Sequence, residues 1–144
     1  MAGKDGLKKA RPVAGHPVCP CGSGQTYMAC CGIFIDNGVL PATAEQLMRS
    51  RYTAYVLKRE EHLLHTWHES TRPASIGLRE DVVMRWLGLK ILRCEQGGAD
   101  DHEGIVEFVA RYQINGRAER LQEVSRFVRE TGQWLYVGGQ IAPA

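Results

Sequence analysis

The feature that most constrains this chain is a cluster of cysteines near its N-terminus. Four of its five cysteines stand between positions 19 and 31, as Cys19, Cys21, Cys30 and Cys31. Two short pairs joined by a flexible connector can place four sulfurs around one metal ion, at about 2.3 Å from zinc. A disulfide framework fits poorly, because the adjacent Cys30 and Cys31 could bridge only through a strained ring. We therefore predict one structural zinc ion held by these four thiolates, with iron as the minor alternative.

The residues after the first cysteine pair suit a loop that wraps closely around a metal. Gly22 and Gly24 allow backbone angles that other residues avoid, and the N–H groups of this loop can donate to sulfur. Protein then fills all four metal positions, so no position is open for water or substrate. The fifth cysteine, Cys94, lies in a strand-like stretch and is predicted to be a small buried hydrophobe.

Length, charge and hydropathy narrow the class of protein. The 144 residues suit one ordinary domain with a small appendage. Residues 1–18 hold four basic side chains against Asp5, a charge of +3, so the rest of the chain sums to −1. A basic surface for nucleic acid is therefore not expected. No apolar run reaches the roughly 18 residues of a membrane helix and no secretory signal is present, so we expect a cytoplasmic protein with reduced thiols.

Several segments resemble known bacterial proteins. The run CPCGSGQTYMACCG resembles the SEC-C motif, a short zinc-binding module also found at the C-terminal end of the SecA translocation ATPase. The later segments LMRSRYTAYVL, WHESTRP, IVEFVARY and EVSRFVRETGQWLYVGG resemble the YchJ family. The resemblance implies an α+β fold, with a SEC-C module over residues 18–35 and a nuclear-transport-factor-2-like cone over residues 43–139. Residues 1–17 lack periodicity and are predicted to form a disordered basic tail.

The resemblance implies partners rather than a particular reaction. SEC-C modules elsewhere contact proteins and the ribosome, so we expect a protein or ribosomal partner through this module. No membrane partner is expected, and no nucleic acid outside a ribosomal context. The lysines usual inside the motif are replaced here by Gln25, Thr26, Met28 and Ala29, which makes docking on an acidic surface less favoured.

The first helix of the body is predicted over residues 44–58. Thr43 and Gln46 form a capping box at its start. Apolar residues then recur at helical spacing and give one buried face, made of Leu47, Met48, Tyr52, Tyr55 and Val56. Arg49 and Thr53 fall on the opposite side of the helix.

After this helix the chain is predicted to change to a sheet. A second short helix covers Glu60 to Trp67, and residues 75–85 favour a helical turn. Apolar residues then alternate and indicate a strand in which Leu87, Leu89 and Ile91 share one face. Further strands run from about Gly104 to Ile114 and from Gln133 to Val137.

The dipeptide Asn115-Gly116 predicts a tight hairpin, because both residues accept the positive φ of a type I′ turn. The register that follows pairs Ile114 with Arg117, Ala110 with Leu121, Phe108 with Glu123 and Val106 with Ser125. On the outer face, Glu107 and Arg126 are expected to form a cross-strand ion pair.

A curved sheet covered by helices encloses a pocket, although the fold does not decide what the pocket does. The residues predicted to lie at it are Arg49, Arg51, Tyr52, Tyr55, Trp67, His68, Phe108, Glu123 and Ser125. Glu123 is a carboxylate on a mostly apolar face, which suits a general acid or base. The preferred interpretation is a structural salt bridge from Glu123 to Arg49 or Arg51. His68 could shuttle protons at the pocket mouth or, as we favour, cap the end of a helix.

The leading hypothesis is a non-enzymatic, zinc-stabilised interaction protein whose SEC-C module docks on a protein or ribosomal partner. The alternative is a pocket enzyme of isomerase or lyase type that uses Glu123 or His68. A third interpretation is RNA or ribosome binding through the basic tail and the metal module. No catalytic residue is assigned, and a small-molecule ligand in the cone stays open.

Overall fold

The structure is a computed structural model that describes residues 17–77 and 84–141. Its helical elements in chain order are a 3₁₀ turn at Tyr27–Ala29, α1 at Cys31–Ile35, α2 at Ala44–Val56 and α3 at Glu60–His65. Four strands follow: β1 at Met84–Gln96, β2 at Glu103–Ile114, β3 at Arg117–Glu130 and β4 at Gln133–Ile141. A few helices packed on one antiparallel sheet make an α+β fold, as predicted. Within the described ranges no helix is long and apolar enough to cross a membrane.

The sheet is an antiparallel meander in which each strand pairs with the next in the chain. Asn115 and Gly116 have φ angles of 49° and 83°, both positive as a type I′ turn requires. The predicted register is confirmed, because Ile114 opposes Arg117 and Phe108 opposes Glu123. The hairpin therefore sets which side chains of β2 and β3 face α2.

The outer face of the hairpin differs from the prediction in one contact. Glu107 accepts a hydrogen bond from Arg93 Nε at 2.8 Å and another from Gln122 Nε2 at 2.7 Å. These partners on β1 and β3 take the place of Arg126, so the predicted Glu107–Arg126 ion pair is wrong.

Strand β1 departs from simple alternation. A register shift between Trp86 and Gly88 leaves Leu87 in a bulge, with 48% of its surface exposed. The prediction that Leu87 shares a buried face with Leu89 and Ile91 is therefore wrong. Trp86 packs against the core together with those two residues instead.

Helix α2 begins at the predicted cap. Thr43 Oγ1 accepts a hydrogen bond from the Gln46 N–H at 3.1 Å. Gln46 Oε1 in turn accepts from the Ala42 N–H at 2.7 Å, one residue earlier than in a standard capping box. Residues on both sides of the helix are buried, including Thr53 on the side opposite the predicted core face. Helix α2 is thus a central element, covered by the sheet on one side and by the cysteine loop on the other.

Other elements differ from the predictions at their ends. Helix α3 ends at His65 rather than at Trp67, and β4 continues to Ile141, beyond the predicted end at Val137. Cys94 on β1 is exposed, so the prediction that it is buried is wrong.

Two predictions fall wholly or partly on undescribed residues. Residues 75–77 are not helical and residues 84–85 belong to β1, so the predicted helical turn is absent from the described part of that stretch. Residues 78–83 lie outside the described residues, as do residues 1–16 of the tail predicted over residues 1–17.

The first turn of α2 packs directly on the loop between β1 and β2. The Ala44 N–H donates to the Gly97 carbonyl oxygen at 2.9 Å. A Cβ at Gly104 would lie only 2.5 Å from Gly97 Cα, so the close packing of these two segments requires a glycine at position 104. Trp134, fully buried, donates its Nε1–H to the Ala42 carbonyl oxygen at 3.1 Å. These contacts fix α2 over the sheet and leave a space farther along the helix.

Candidate metal centre and cavity

The four predicted cysteines come together at one point. Their sulfur atoms all lie within 4.8 Å of one another, and Cys21 Sγ is 3.6 Å from Cys30 Sγ. A tetrahedral ion with metal–sulfur bonds of about 2.3 Å would separate its sulfurs by about 3.8 Å. The sulfur positions therefore fit a tetrahedral metal ion. Three of the thiols, those of Cys19, Cys21 and Cys31, are buried.

The loop that carries the first cysteine pair is closed by its own backbone. The Cys19 N–H donates to the Gln25 carbonyl oxygen at 2.8 Å. Gly22 and Gly24 have φ angles of 83° and 89°, which lie in the left-handed region that favours glycine. The positive φ predicted for both glycines is therefore confirmed.

Side chains from outside the loop donate to the sulfur cluster. Thr53 Oγ1 on α2 donates to Cys31 Sγ at 3.3 Å. Arg49 Nη1, one turn earlier on the same helix, donates to the Cys21 carbonyl oxygen at 2.9 Å and lies 3.8 Å from Cys21 Sγ. Four thiolates on a divalent ion carry a net charge of about −2. A guanidinium and a hydroxyl at this distance would stabilise that charge.

Hydrogen bonds among the thiols, together with burial, shift the pKa values of individual cysteines in opposite directions. Hydrogen bonds from Cys19 and Cys31 lower the pKa of Cys21. Burial raises the pKa of Cys30 to about 11. Hydrogen bonding to Cys19 and Cys21 raises the pKa of Cys31. Like charges packed this closely oppose one another, so full ionisation of the cluster requires a cation.

The cysteine loop and the cone share one hydrophobic core. Cys19, Cys21 and Cys31 belong to the same buried cluster as Leu47 of α2 and Phe127 of β3. The side of α2 that carries Arg49 and Thr53, which the sequence suggests faces away from the core, is the side that receives the loop. The periodicity of α2 does not reveal this second interface, because its contacts are polar.

A second feature is a cavity of about 270 Å³ between α2 and the concave face of the sheet. Six of the residues predicted at a pocket line it: Arg51, Tyr52, Tyr55, Phe108, Glu123 and Ser125. Five residues were missed, namely Met48, Trp86, Ala110, Leu121 and Tyr136. Ala110 and Leu121 could have been found, because the predicted hairpin register places them beside Phe108 and Glu123.

Glu123 does not form the predicted salt bridge. Its Oε2 atom accepts hydrogen bonds from Ser125 Oγ at 2.8 Å and from the Tyr136 hydroxyl at 3.1 Å. Arg49 instead binds Glu45 and Cys21, and Arg51 donates to the Leu63 carbonyl oxygen and to Thr66. In the described ranges neither arginine forms an ion pair with Glu123, so the preferred interpretation of this residue is wrong.

Burial shapes the ionisation of the groups around the cavity. Burial lowers the pKa of Arg51 to about 10 and raises the pKa of Tyr52 to about 12. Burial, followed by the charge of Glu123, also raises the pKa of Tyr136. Both phenols therefore stay protonated and Arg51 stays cationic at neutral pH.

The remaining predicted pocket residues lie outside the cavity lining. The Trp67 ring contacts Tyr136 edge-on at 5.0 Å between centroids. His68 Nδ1 accepts from the Ser70 N–H at 3.1 Å, while its Nε2 lies 3.0 Å from Glu130 Oε2. His68 thus joins the segment after α3 to the end of β3. It neither lines the cavity nor caps α3, whose C-cap is Thr66.

Comparison with known proteins matches both parts of the chain. A family model described as YchJ, middle NTF2-like domain, matches residues 43–139. A model of the SEC-C motif matches residues 18–33.

Relatives and solved structures of similar length also match. A UPF0225 protein of Chromobacterium violaceum is 54% identical over 126 residues, covering 86% of this chain and 93% of the relative. A UPF0225 protein of Methylibium petroleiphilum is 50% identical over 133 residues, covering 92% of this chain and 96% of the relative. The solution structure of a SEC-C motif containing protein from Rhodopseudomonas palustris superposes with a TM-score of 0.73 at 31% identity, covering 87% of this chain and 98% of that one. The crystal structure of a SEC-C motif containing protein from Psychrobacter arcticus shares the fold, with a TM-score of 0.66 at 21% identity, covering 88% and 83%.

Proposed function

This chain belongs to the YchJ-like family of SEC-C motif proteins, and from that premise we propose that it is a cytoplasmic zinc-binding adaptor without enzymatic activity. In this proposal the SEC-C module docks on a protein partner, such as a protein of the ribosome. The observation that carries the proposal is the closed cluster of four cysteine sulfurs.

The chemistry of the cluster supports a structural zinc ion. Cys19, Cys21, Cys30 and Cys31 would be its four ligands, and when bound the ion neutralises thiolates that repel one another. A site with four protein ligands keeps no position for a substrate. Sulfur ligands in a tetrahedral arrangement suit zinc, and iron is the competitor that the experiment must distinguish.

The surface of the module supports a docking role. Met28, on the 3₁₀ turn of the motif, is 63% exposed and is therefore accessible to a partner. Beside Cys30 lies a hollow of about 220 Å³ that Ile33, Phe34 and Arg49 help to line. Because the motif lacks its usual lysines, we infer that the partner is held by apolar contacts more than by charge.

The first experiment measures metal content. Protein purified without added metal is analysed by mass spectrometry for zinc and iron, beside a Cys19→Ser/Cys30→Ser variant. We expect about one zinc per chain in the wild type and none in the variant. A wild-type protein that is folded but metal-free, or that carries redox-active iron, would overturn the proposal.

The second experiment tests docking. Purified bacterial ribosomes are sedimented with the wild type, with Met28→Asp, and with Leu92→Asp as the control at an exposed leucine of β1. Saturable co-sedimentation that Met28→Asp abolishes and Leu92→Asp keeps would support a ribosomal partner. If no saturable co-sedimentation is seen, the same three proteins are compared by cross-linking in cell extract. If no cross-linked partner depends on Met28, the adaptor proposal fails.

A further inference from the structure

We propose that the cavity between α2 and the sheet is a binding site for a small planar aromatic amide. Such a ligand has a flat apolar body and a head group that both accepts and donates hydrogen bonds. The site is separate from the metal centre, and the proposal does not depend on the adaptor function.

The walls of the cavity suit a flat apolar body. Trp86 contacts the rings of Tyr52 and Tyr55, with centroid distances of 5.5 Å and 6.0 Å, and Phe108 lines the cavity from the neighbouring strand β2. Aromatic walls favour a ring that they can contact by face or edge. The volume of about 270 Å³ is near the lower limit of small-molecule sites, so the ligand is smaller than a typical drug.

One polar group at the cavity is a fixed donor. Arg51 is 3% exposed, and its Nη1 donates at 2.8 Å to both the Leu63 carbonyl oxygen and Thr66 Oγ1. Its guanidinium carbon lies 4.9 Å and 4.4 Å from the ring centroids of Trp67 and Tyr136. A guanidinium has five N–H groups, and these contacts engage Nη1 alone. Among the described residues no acceptor pairs with Nε or Nη2, so a buried cation retains donors for a ligand acceptor.

The other polar group is a fixed acceptor. Glu123 Oε2 accepts hydrogen bonds from the hydroxyls of Ser125 and Tyr136. In the described part of the chain no donor pairs with Glu123 Oε1. Across the strand pair, a Cβ at Gly139 would lie 2.1 Å from Glu123 Oε2, so the carboxylate rests directly on the β4 backbone. The absence of a side chain at Gly139 thus permits this position of Glu123.

The combination of Arg51 and Glu123 selects the head group. The two opposite charges line one small cavity without closing an ion pair, so each has unused hydrogen-bonding capacity there. A carboxylate ligand would satisfy Arg51 but would be repelled by Glu123. An ammonium ligand would satisfy Glu123 but would be repelled by Arg51. An uncharged amide offers its oxygen to Arg51 and its N–H to Glu123, and leaves neither group unpaired.

A matched series of probes tests the proposal. Benzamide, benzoate and benzylamine share one ring and differ in the head group, and each is titrated into the metal-loaded full-length protein by NMR. We expect saturable binding of benzamide, reported by the Trp86 indole N–H and not by that of Trp134. Benzoate and benzylamine should bind at least about tenfold more weakly, because benzoate leaves Glu123 unsatisfied and benzylamine leaves Arg51 unsatisfied. Glu123→Gln should weaken benzamide and strengthen benzoate, whereas Glu119→Gln, outside the cavity on the same strand, should change neither.

The remaining outcomes overturn the proposal. It fails if no benzamide binding saturates, or if benzoate or benzylamine binds as tightly as benzamide. Should Glu123→Gln not fold, Ala110→Leu takes its place, because it fills the cavity from β2 without changing a charge. Retention of benzamide by a folded Ala110→Leu protein would show that binding occurs elsewhere. Metal content measured on the same preparations reports on the adaptor proposal separately.

Discussion

Thr53 Oγ1 lies 3.3 Å from Cys31 Sγ, and this hydrogen bond joins the last turn of α2 to the cysteine cluster. Thr53 is completely buried and Cys31 nearly so. A helix that forms one wall of the cone therefore also supports the cysteines that could hold a metal ion. The stability of the cone and the integrity of the cysteine cluster should therefore depend on each other.

Replacing Cys31 with serine should abolish metal binding and destabilise the whole chain. The Cys31 side chain lies in the shared core, so the loss affects α2 as well as the cysteine loop. We expect the free energy of unfolding to fall by more than about 4 kcal/mol, as for other losses of a structural metal. Metal analysis and urea unfolding measure the two effects. Cys94→Ser, at an exposed thiol, is the control and should change neither.

Replacing Thr53 with valine should weaken the metal site while keeping its shape. Valine fills the same volume but cannot donate to Cys31 Sγ, so metal affinity should fall by about tenfold or more. Competition with a chromogenic chelator measures this affinity. Thr53→Ser restores the hydroxyl and should recover most of the loss. Equal affinities for the valine and serine variants would contradict a role for the hydrogen bond.

Stability should depend on pH through His62. Its Nε2 lies 3.0 Å from Ser50 Oγ, and burial, with positive Arg51, His65 and Arg59 nearby, lowers its pKa from 6.5 to about 4. As the pH falls from about 6.5 to about 4, His62 takes up a proton in the unfolded chain but not in the folded chain. The contribution is therefore complete above about pH 6.5 and lost towards pH 4, by up to about 3 kcal/mol.

Urea unfolding over a pH series checks the contribution of His62. The difference in unfolding free energy between wild type and His62→Gln should vary between about pH 6.5 and pH 4. The exposed His102, on the loop between β1 and β2, provides the control, since His102→Gln should follow the wild type. Parallel curves for wild type and His62→Gln would exclude His62 as the source.

Replacing Gly139 with alanine should displace Glu123. The new Cβ would lie 2.1 Å from Glu123 Oε2, so either the carboxylate or strand β4 must move. We expect a loss of stability of about 1–3 kcal/mol and at least about tenfold weaker benzamide binding. Gly138→Ala is a matched control, because nothing lies within 4 Å of a Cβ there. Unchanged binding in a stable Gly139→Ala protein would remove Glu123 from the site.

The predictable parts of this fold are those that short sequence motifs determine. Asn115-Gly116 strongly favours a type I′ turn, and this turn sets the register of β2 and β3. Bulges could not be predicted, because Leu87 is as hydrophobic as the residues that do face the core. The bulge moves Trp86 into the cavity wall, which explains why the sequence pattern missed it.

The packing of the cysteine loop on α2 was also beyond prediction. Arg49 and Thr53 are polar, and a polar side of a helix normally indicates solvent. Here their partners are sulfur atoms and a backbone carbonyl more than twenty positions away in the chain. The spacing of the cysteines predicts that they cluster, and they do, but the element that they pack against could not be predicted.

The shared core of the cysteine loop and the cone has a consequence for the living cell. A chain that has not acquired its metal would lack the support of one side of α2, and the cone would open to proteases more often. Quality-control proteases remove chains in proportion to such openings. The abundance of this protein should therefore follow the supply of its metal, without any dedicated regulator of its synthesis.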